Sequence, residues 1–165
     1  MQKGTGDVRV PETIENKVST CIVGLDQILQ GGLPKNRLYV VEGSPGSGKT
    51  TLALQFLLEG IRAGETVLYV TLSETAEELY EVARSHKWSL EGVHLLELDS
   101  LAERIREDTD YTVYHPADVE LVETTRRIRE EVERIKPSRV ALDSVSELKI
   151  LSQTIARYQI GRAHV

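Results

Sequence analysis

The run Gly43-Ser44-Pro45-Gly46-Ser47-Gly48-Lys49-Thr50 fits the pattern G-x-x-x-x-G-K-[ST], whose chemistry is the holding of a polyphosphate. Gly43, Gly46 and Gly48 let the backbone curl so that successive N–H groups point at one anion. Lys49 brings a point charge that reaches the β- and γ-phosphates, and the Thr50 hydroxyl is a hard oxygen suited to Mg²⁺. Thr51 follows in the first turn of the expected helix, whose positive dipole end faces the same anion. The context is the one the motif requires. The apolar run Leu38–Val41 precedes the loop as a predicted strand, and Thr51-Leu52-Ala53-Leu54-Gln55-Phe56-Leu57-Leu58 follows as a predicted helix.

Two carboxylates complete the candidate chemistry. Asp143 closes the run Arg139-Val140-Ala141-Leu142. An aspartate at the end of a buried strand, paired with a phosphate loop, is suited to hold Mg²⁺ opposite Thr50; taken alone it also fits a turn or helix cap. Glu74 follows the predicted strand Val67–Thr71. At that strand's carboxyl end it could orient and deprotonate an attacking water. The same residues also read as a helix start, with Ser73 or Thr75 as cap and Glu74, Glu77 and Glu78 enriching the first turn.

These groups need a scaffold, and the chain alternates strand and helix. Predicted strands are Leu38–Val41, Val67–Thr71, His94–Leu98 and Arg139–Leu142. The helix after the loop is apolar nearly all round and can end at Gly60 or Gly64. A second, near Ala76 to Ser85, puts Leu79, Val82 and Ala83 on one side. A third, near Pro116 to Lys136, carries the stripe Leu121, Thr125, Ile128, Val132, Ile135. Its outer charges pair as Glu123 with Arg127 and Glu130 with Arg134, and Pro137 stops it. The alternation predicts an α/β fold with a mostly parallel sheet and helices on both faces. The continuous apolar runs Val67–Val70 and Val140–Leu142 fit doubly covered interior strands. Ala102 to Arg106 reads as a helical turn or more, and Asp108-Thr109-Asp110 as a loop.

Composition narrows the class. A chain of 165 residues, 40% hydrophobic and 28% charged, fits one globular domain. A net charge of -6 argues against a broad basic surface for nucleic acid. No apolar stretch approaches the ~20 residues that span a bilayer, and Met1 to Val10 has no signal-peptide core. The single cysteine, Cys21, forms no internal disulfide, and a cytoplasmic protein is expected.

The segment Ser19–Pro34, with Gly24-Leu25-Asp26-Gln27-Ile28-Leu29-Gln30-Gly31-Gly32-Leu33-Pro34, resembles the entry segment of the KaiC-like branch of RecA-type P-loop ATPases. Val70-Thr71-Leu72-Ser73-Glu74-Thr75 resembles that branch's "V-T-F-E-E-T", and Val140–Val145 its metal-binding strand. Tyr111–Pro116 with Glu120-Leu121 is similar to a segment of its bacterial members. The resemblance covers residues 19–159. It implies ATP and Mg²⁺ as ligands, ATP hydrolysis with Lys49 and Glu74 as catalytic groups, and self-association into a hexameric ring. It further implies control of conformation or of unknown protein partners, sites completed by a neighbouring subunit, and in some members autokinase activity. The chain departs from the pattern at Asn36, where glycine is usual and asparagine tolerates a left-handed turn. It departs again at Ser73, where the family's usual water-activating glutamate stands, leaving Glu74 to serve alone. A DNA recombinase or helicase motor, or an assembly scaffold that scarcely hydrolyses ATP, are the rival readings. Residues 1–18 read as an N-terminal extension. Ile160–Val165 reads as a translated adapter sequence, so the natural protein is expected to continue past about Gln159 and this stretch alone to be an incomplete ATPase.

Overall fold

The structure is a computed structural model that describes residues 16–98 and 116–146, with the backbone alone for 116–120. The expectations for the N-terminal extension, for Ala102–Arg106, for Asp108–Asp110, for Tyr111–His115 and for the last residues lie outside the described residues. Two compact units emerge, Met1–Ser44 and Pro45–Val165.

In the first unit, β1 (Lys17–Val18) pairs antiparallel with β2 (Leu33–Pro34) around the short helix α1 (Val23–Ile28). Asp26 ties this loop together. Its carboxylate accepts from the Thr20 amide at 2.9 Å, the Thr20 hydroxyl at 2.7 Å and the Ser19 hydroxyl at 2.7 Å. Lys17 Nζ donates to the carbonyl of Leu29 at 2.6 Å, closing the carboxyl end of α1. Asn36 takes φ 56°, the left-handed turn that asparagine tolerates. Leu38–Val41 forms no strand among the described residues: Leu38 is 91% and Val40 67% exposed, and neither pairs with a described neighbour. Apolar content predicted a strand here, but only a hydrogen-bonded partner makes one.

The second unit is the α/β layer. It contains α2 (Lys49–Arg62), β3 (Val67–Thr71), α3 (Ala76–Ser85), β4 (Val93–Glu97), α4 (Pro116–Ile135) and β5 (Arg139–Asp143). The strands form one parallel sheet in the order β4-β3-β5. Every residue of β3 is buried, and its side chains alternate between two cores. Val67 and Tyr69 join Leu54, Leu57 and Leu58 of α2 and Leu79 and Ala83 of α3. Leu68 and Val70 join Ile128, Val132 and Ile135 of α4. Helices therefore cover both faces, as the alternation predicts. Each buried aliphatic side chain contributes about 1.5–3 kcal/mol. Among the described residues β5 pairs only with β3, and Val140 is 45% exposed.

Local chemistry sets the helix ends. The Thr75 hydroxyl accepts from the Glu78 amide at 3.3 Å while Glu78 accepts from the Thr75 amide at 2.8 Å, a reciprocal box that opens α3. Glu97 at the end of β4 accepts from the Ala76 amide at 3.1 Å. α2 ends beyond Gly60. Gly64 at φ 73° donates to Ile61 O, and the Glu65 amide returns to Gly60 O at 2.9 Å. On α4 it is Thr124 that is buried, while Thr125 is exposed and bonds back to Leu121 O. The ion pairs also differ from expectation: Arg126 bridges Glu123 and Glu130, and Arg134 meets Glu131. Long side chains choose between i,i+3 and i,i+4 partners at little cost, so the spacing predicts the class of pair but not its members.

Gly60 lets α2 approach the sheet. A Cβ there would lie 2.7 Å from Val67 Cγ1 and 2.9 Å from Arg139 Cδ. Arg139 cannot swing aside, because its guanidinium pairs with Glu65, donates to Phe56 O at 2.9 Å and stacks 4.7 Å from the Phe56 ring. Gly60→Ala would gain about 1 kcal/mol of helix propensity elsewhere. Here overpacking of about 1–3 kcal/mol wins, and chemical denaturation is expected to show a net loss of stability; an unchanged or higher midpoint would contradict the close approach.

The pH response of the first unit has a defined sign. Burial acts to raise the Asp26 carboxyl, but the bonds from Thr20, Ser19 and Cys21 outweigh it and hold the carboxyl below its ordinary value of 3.8. The stabilisation is therefore present above that value and lost as pH falls through the lower, folded one. Hydrogen exchange is expected to show a protected Thr20 amide at neutral pH that loses protection under strong acid. Asp26→Asn should lose about tenfold or more of that protection at pH 7, since a bond to a charged acceptor contributes about 1.5–3 kcal/mol. Equal exchange in the two proteins at pH 7 would refute this.

Candidate functional site

Gly43 and Ser44 close the first unit, and Pro45 to Thr51 open the second. Gly46 at φ 76° and Gly48 at φ 87° use the left-handed freedom expected of them, whereas Gly43 takes no positive φ. Gly48 is also the N-cap of α2. Having no side chain, it places no capping group on the first-turn amides of Lys49, Thr50 and Thr51. Lys49, Thr50 and Thr51 are half-buried at this helix end.

The parallel register brings the rest together. β3 and β5 align Thr71 with Asp143, so the carboxyl ends of both strands meet at one level. The Leu72 amide donates to Asp143 O at 2.8 Å and extends the pairing by one residue. The Asp143–Ser144 peptide is cis. Beyond β3 the chain turns at once. The buried Thr71 hydroxyl donates to Glu74 O at 2.6 Å and accepts from the Glu74 amide at 3.0 Å. That turn leaves Ser73 exposed and directs the Glu74 carboxylate inward.

Thr50 stands between the two acids. Its Oγ1 lies 2.7 Å from Asp143 Oδ2 and 3.4 Å from Glu74 Oε1. A hydroxyl has one hydrogen, and the shorter contact takes it. Glu74 is thus left with a weak contact at Oε1, and its Oε2 is buried with no hydrogen-bond partner among the described residues. Burial, and then the charge of Asp143, push the Glu74 carboxyl above its ordinary range. A fourth residue escaped the sequence reading. The Tyr69 hydroxyl donates to Asp143 Oδ2 at 2.8 Å. Burial first, then Asp143 and Glu74, push its phenol far up, so it stays a proton donor. The signal was present in the alternation of β3, which puts Tyr69 and Thr71 on the same side of the sheet.

The donor set fits a hard divalent cation. Thr50 has given its hydrogen to Asp143 and retains lone pairs, and among the described residues no hydrogen bond is formed to Asp143 Oδ1. Two hard oxygens beside a phosphate loop suit Mg²⁺, which keeps waters and takes its remaining ligands from phosphate. Among the described residues no group of three or more His, Cys, Asp or Glu could hold a metal by itself. No helix among them is long and apolar enough to cross a membrane.

Comparison with known proteins agrees with this architecture. The family described as "ATPase: KaiC" matches residues 18–164. The chain is 33% identical over 147 residues to a UPF0273 protein of Methanopyrus kandleri, covering 86% of this chain and 58% of that one. A UPF0273 protein of Pyrococcus horikoshii is 31% identical over 147 residues, covering 86% and 59%. The circadian clock oscillator protein KaiC of Thermostichus vulcanus is 33% identical over 135 residues, covering 79% and 25%. The chain thus spans under two thirds of the length of the curated relatives it matches. With its phosphate-loop sequence and its parallel, doubly covered sheet, the chain belongs to the KaiC-type ATPases of the RecA-like P-loop superfamily.

Proposed function

We propose that this chain binds ATP with Mg²⁺ and hydrolyses it as one subunit of a cytoplasmic, ring-forming regulatory ATPase that uses the nucleotide to set its conformation or its contacts with partner proteins. The observation that carries this reading is the placement of Thr50, at the start of α2, within 2.7 Å of Asp143 and 3.4 Å of Glu74. The loop sequence from Gly43 to Thr51 supplies the phosphate contacts, with the first-turn amides of α2 as donors. Lys49 neutralises charge on the β- and γ-phosphates. Thr50 and Asp143 hold the metal. Bound there, Mg²⁺ neutralises charge developing on the phosphate oxygens. Glu74 orients the attacking water and accepts its proton: its carboxylate stands 3.4 Å from Thr50, and its Oε2 lacks a competing donor among the described residues. The hexameric ring and the completion of each site by a neighbouring subunit rest on the family resemblance.

A scaffold that binds ATP but scarcely turns it over is favoured by one observation: Ser73 stands exposed where the family's usual water-activating glutamate would be. Turnover of the full-length protein separates the two readings. Under the hydrolytic reading Glu74→Gln lowers kcat by about 10²–10⁴-fold while ATP affinity stays within a few-fold of wild type. Under the scaffold reading wild type and Glu74→Gln are equally slow, and Ser73→Glu accelerates turnover.

Binding itself is tested at Lys49. An ammonium paired with several phosphate charges in a partly desolvated cradle is costly to remove, roughly 2–5 kcal/mol for a lost pair. Lys49→Ala is expected to weaken ATP binding well over tenfold with the fold intact. Equal affinities by calorimetry would defeat the assignment of the loop.

A further inference from the structure

We propose that Tyr69 is a positioning residue for the metal site, its hydroxyl fixing the Asp143 carboxylate through Oδ2 so that Oδ1 is kept for the cation and its waters. The inference rests on the reading of Thr50 and Asp143 as Mg²⁺ ligands. Tyr69 is fully buried at the centre of β3. A buried phenol needs a partner for its hydroxyl, and this one has Asp143 Oδ2 at 2.8 Å. The register explains the reach. Tyr69 lies opposite Ala141, whose small side chain occupies little of that face. Two residues further along β5, on the same face, is Asp143.

Both hydroxyls that approach Asp143 choose the same oxygen. Thr50 Oγ1 is 2.7 Å and Tyr69 Oη 2.8 Å from Oδ2, and among the described residues no hydrogen bond is formed to Oδ1. Thr50 alone would leave the carboxylate free to rotate about one bond. A second donor, from a ring locked in the core, removes that freedom. Phenylalanine would fill the same core volume, so packing does not explain the hydroxyl. What the hydroxyl adds is orientation of a ligand, and loss of such outer-shell bonds typically costs about 10–100-fold in metal affinity.

The test compares ATP affinity of the full-length protein in EDTA and in saturating Mg²⁺ by calorimetry, for wild type, Tyr69→Phe, Tyr69→Leu and Asp143→Asn. The quantity read is the factor by which Mg²⁺ tightens ATP binding. Tyr69→Phe is expected to lower that factor by on the order of tenfold and to leave the metal-free affinity unchanged. Tyr69→Leu also loses ring packing, so it should melt lower than Tyr69→Phe yet show the same reduced factor. A factor in Tyr69→Phe equal to wild type, with Asp143→Asn reduced, would overturn the positioning role and leave the metal reading standing. A factor that follows melting temperature through Phe and Leu would also overturn it. A wild-type factor in Asp143→Asn would sink the metal reading itself and this inference with it.

Discussion

The burial of β3 on both faces is the constraint from which the rest follows. Once all of its residues are withdrawn from water, its backbone must pair on both edges, and β4 and β5 meet that demand in parallel. Parallel pairing puts all three carboxyl ends at the same side of the sheet. There the chain places a turn bearing Glu74, a strand end bearing Asp143 and a glutamate, Glu97, that accepts from the first amide of α3. α2 covers the same face and ends its N-terminal turn against these groups through Thr50. The acids are therefore gathered by sheet geometry rather than by attraction, since two carboxylates near one hydroxyl repel each other. Burial first, and then that repulsion, raise the proton affinity of Glu74.

How much of this is legible in the sequence depends on the range of the interaction. Short-range signals read well. The span Ala76–Ser85 emerges as α3 because a capping pair and an apolar stripe both lie within a few residues. Val67–Thr71 emerges as β3 because a continuous apolar run has one reading in an α/β alternation. Signals that need a partner read poorly. Leu38–Val41 has the composition of a strand and the exposure of a loop. The α4 stripe is off by one at Thr124, where two threonines carry no difference in hydropathy to decide which faces inward.

The candidate site divides in the same way. Lys49, Thr50 and Asp143 are visible because their spacing to glycines and apolar runs is local. Glu74 was open between a base and a first-turn acid; Thr75 and Glu78 form the cap, and the Glu74 carboxylate turns toward Thr50 instead. Tyr69 was overlooked because a tyrosine in an apolar strand reads as core, although the alternation of β3 puts it on the side of Thr71. Only the register of β3 against β5 brings its hydroxyl within reach of a carboxylate that lies 74 positions along the chain.

Arg139 gives the sheet a property of a different kind. A guanidinium enclosed at the start of β5 is fastened to Glu65, to the backbone of α2 at Phe56 and to that residue's ring. Asp143 stands at the other end of the same strand, about 13 Å away at the usual rise per residue. An extended strand is nearly inextensible, so β5 works as a ruler whose zero mark is a polar anchor in the core. The accuracy with which a carboxylate is presented at one end is thereby inherited from a contact at the other. Wear at the anchor would surface as misplacement at the chemistry, with nothing near Asp143 itself having changed.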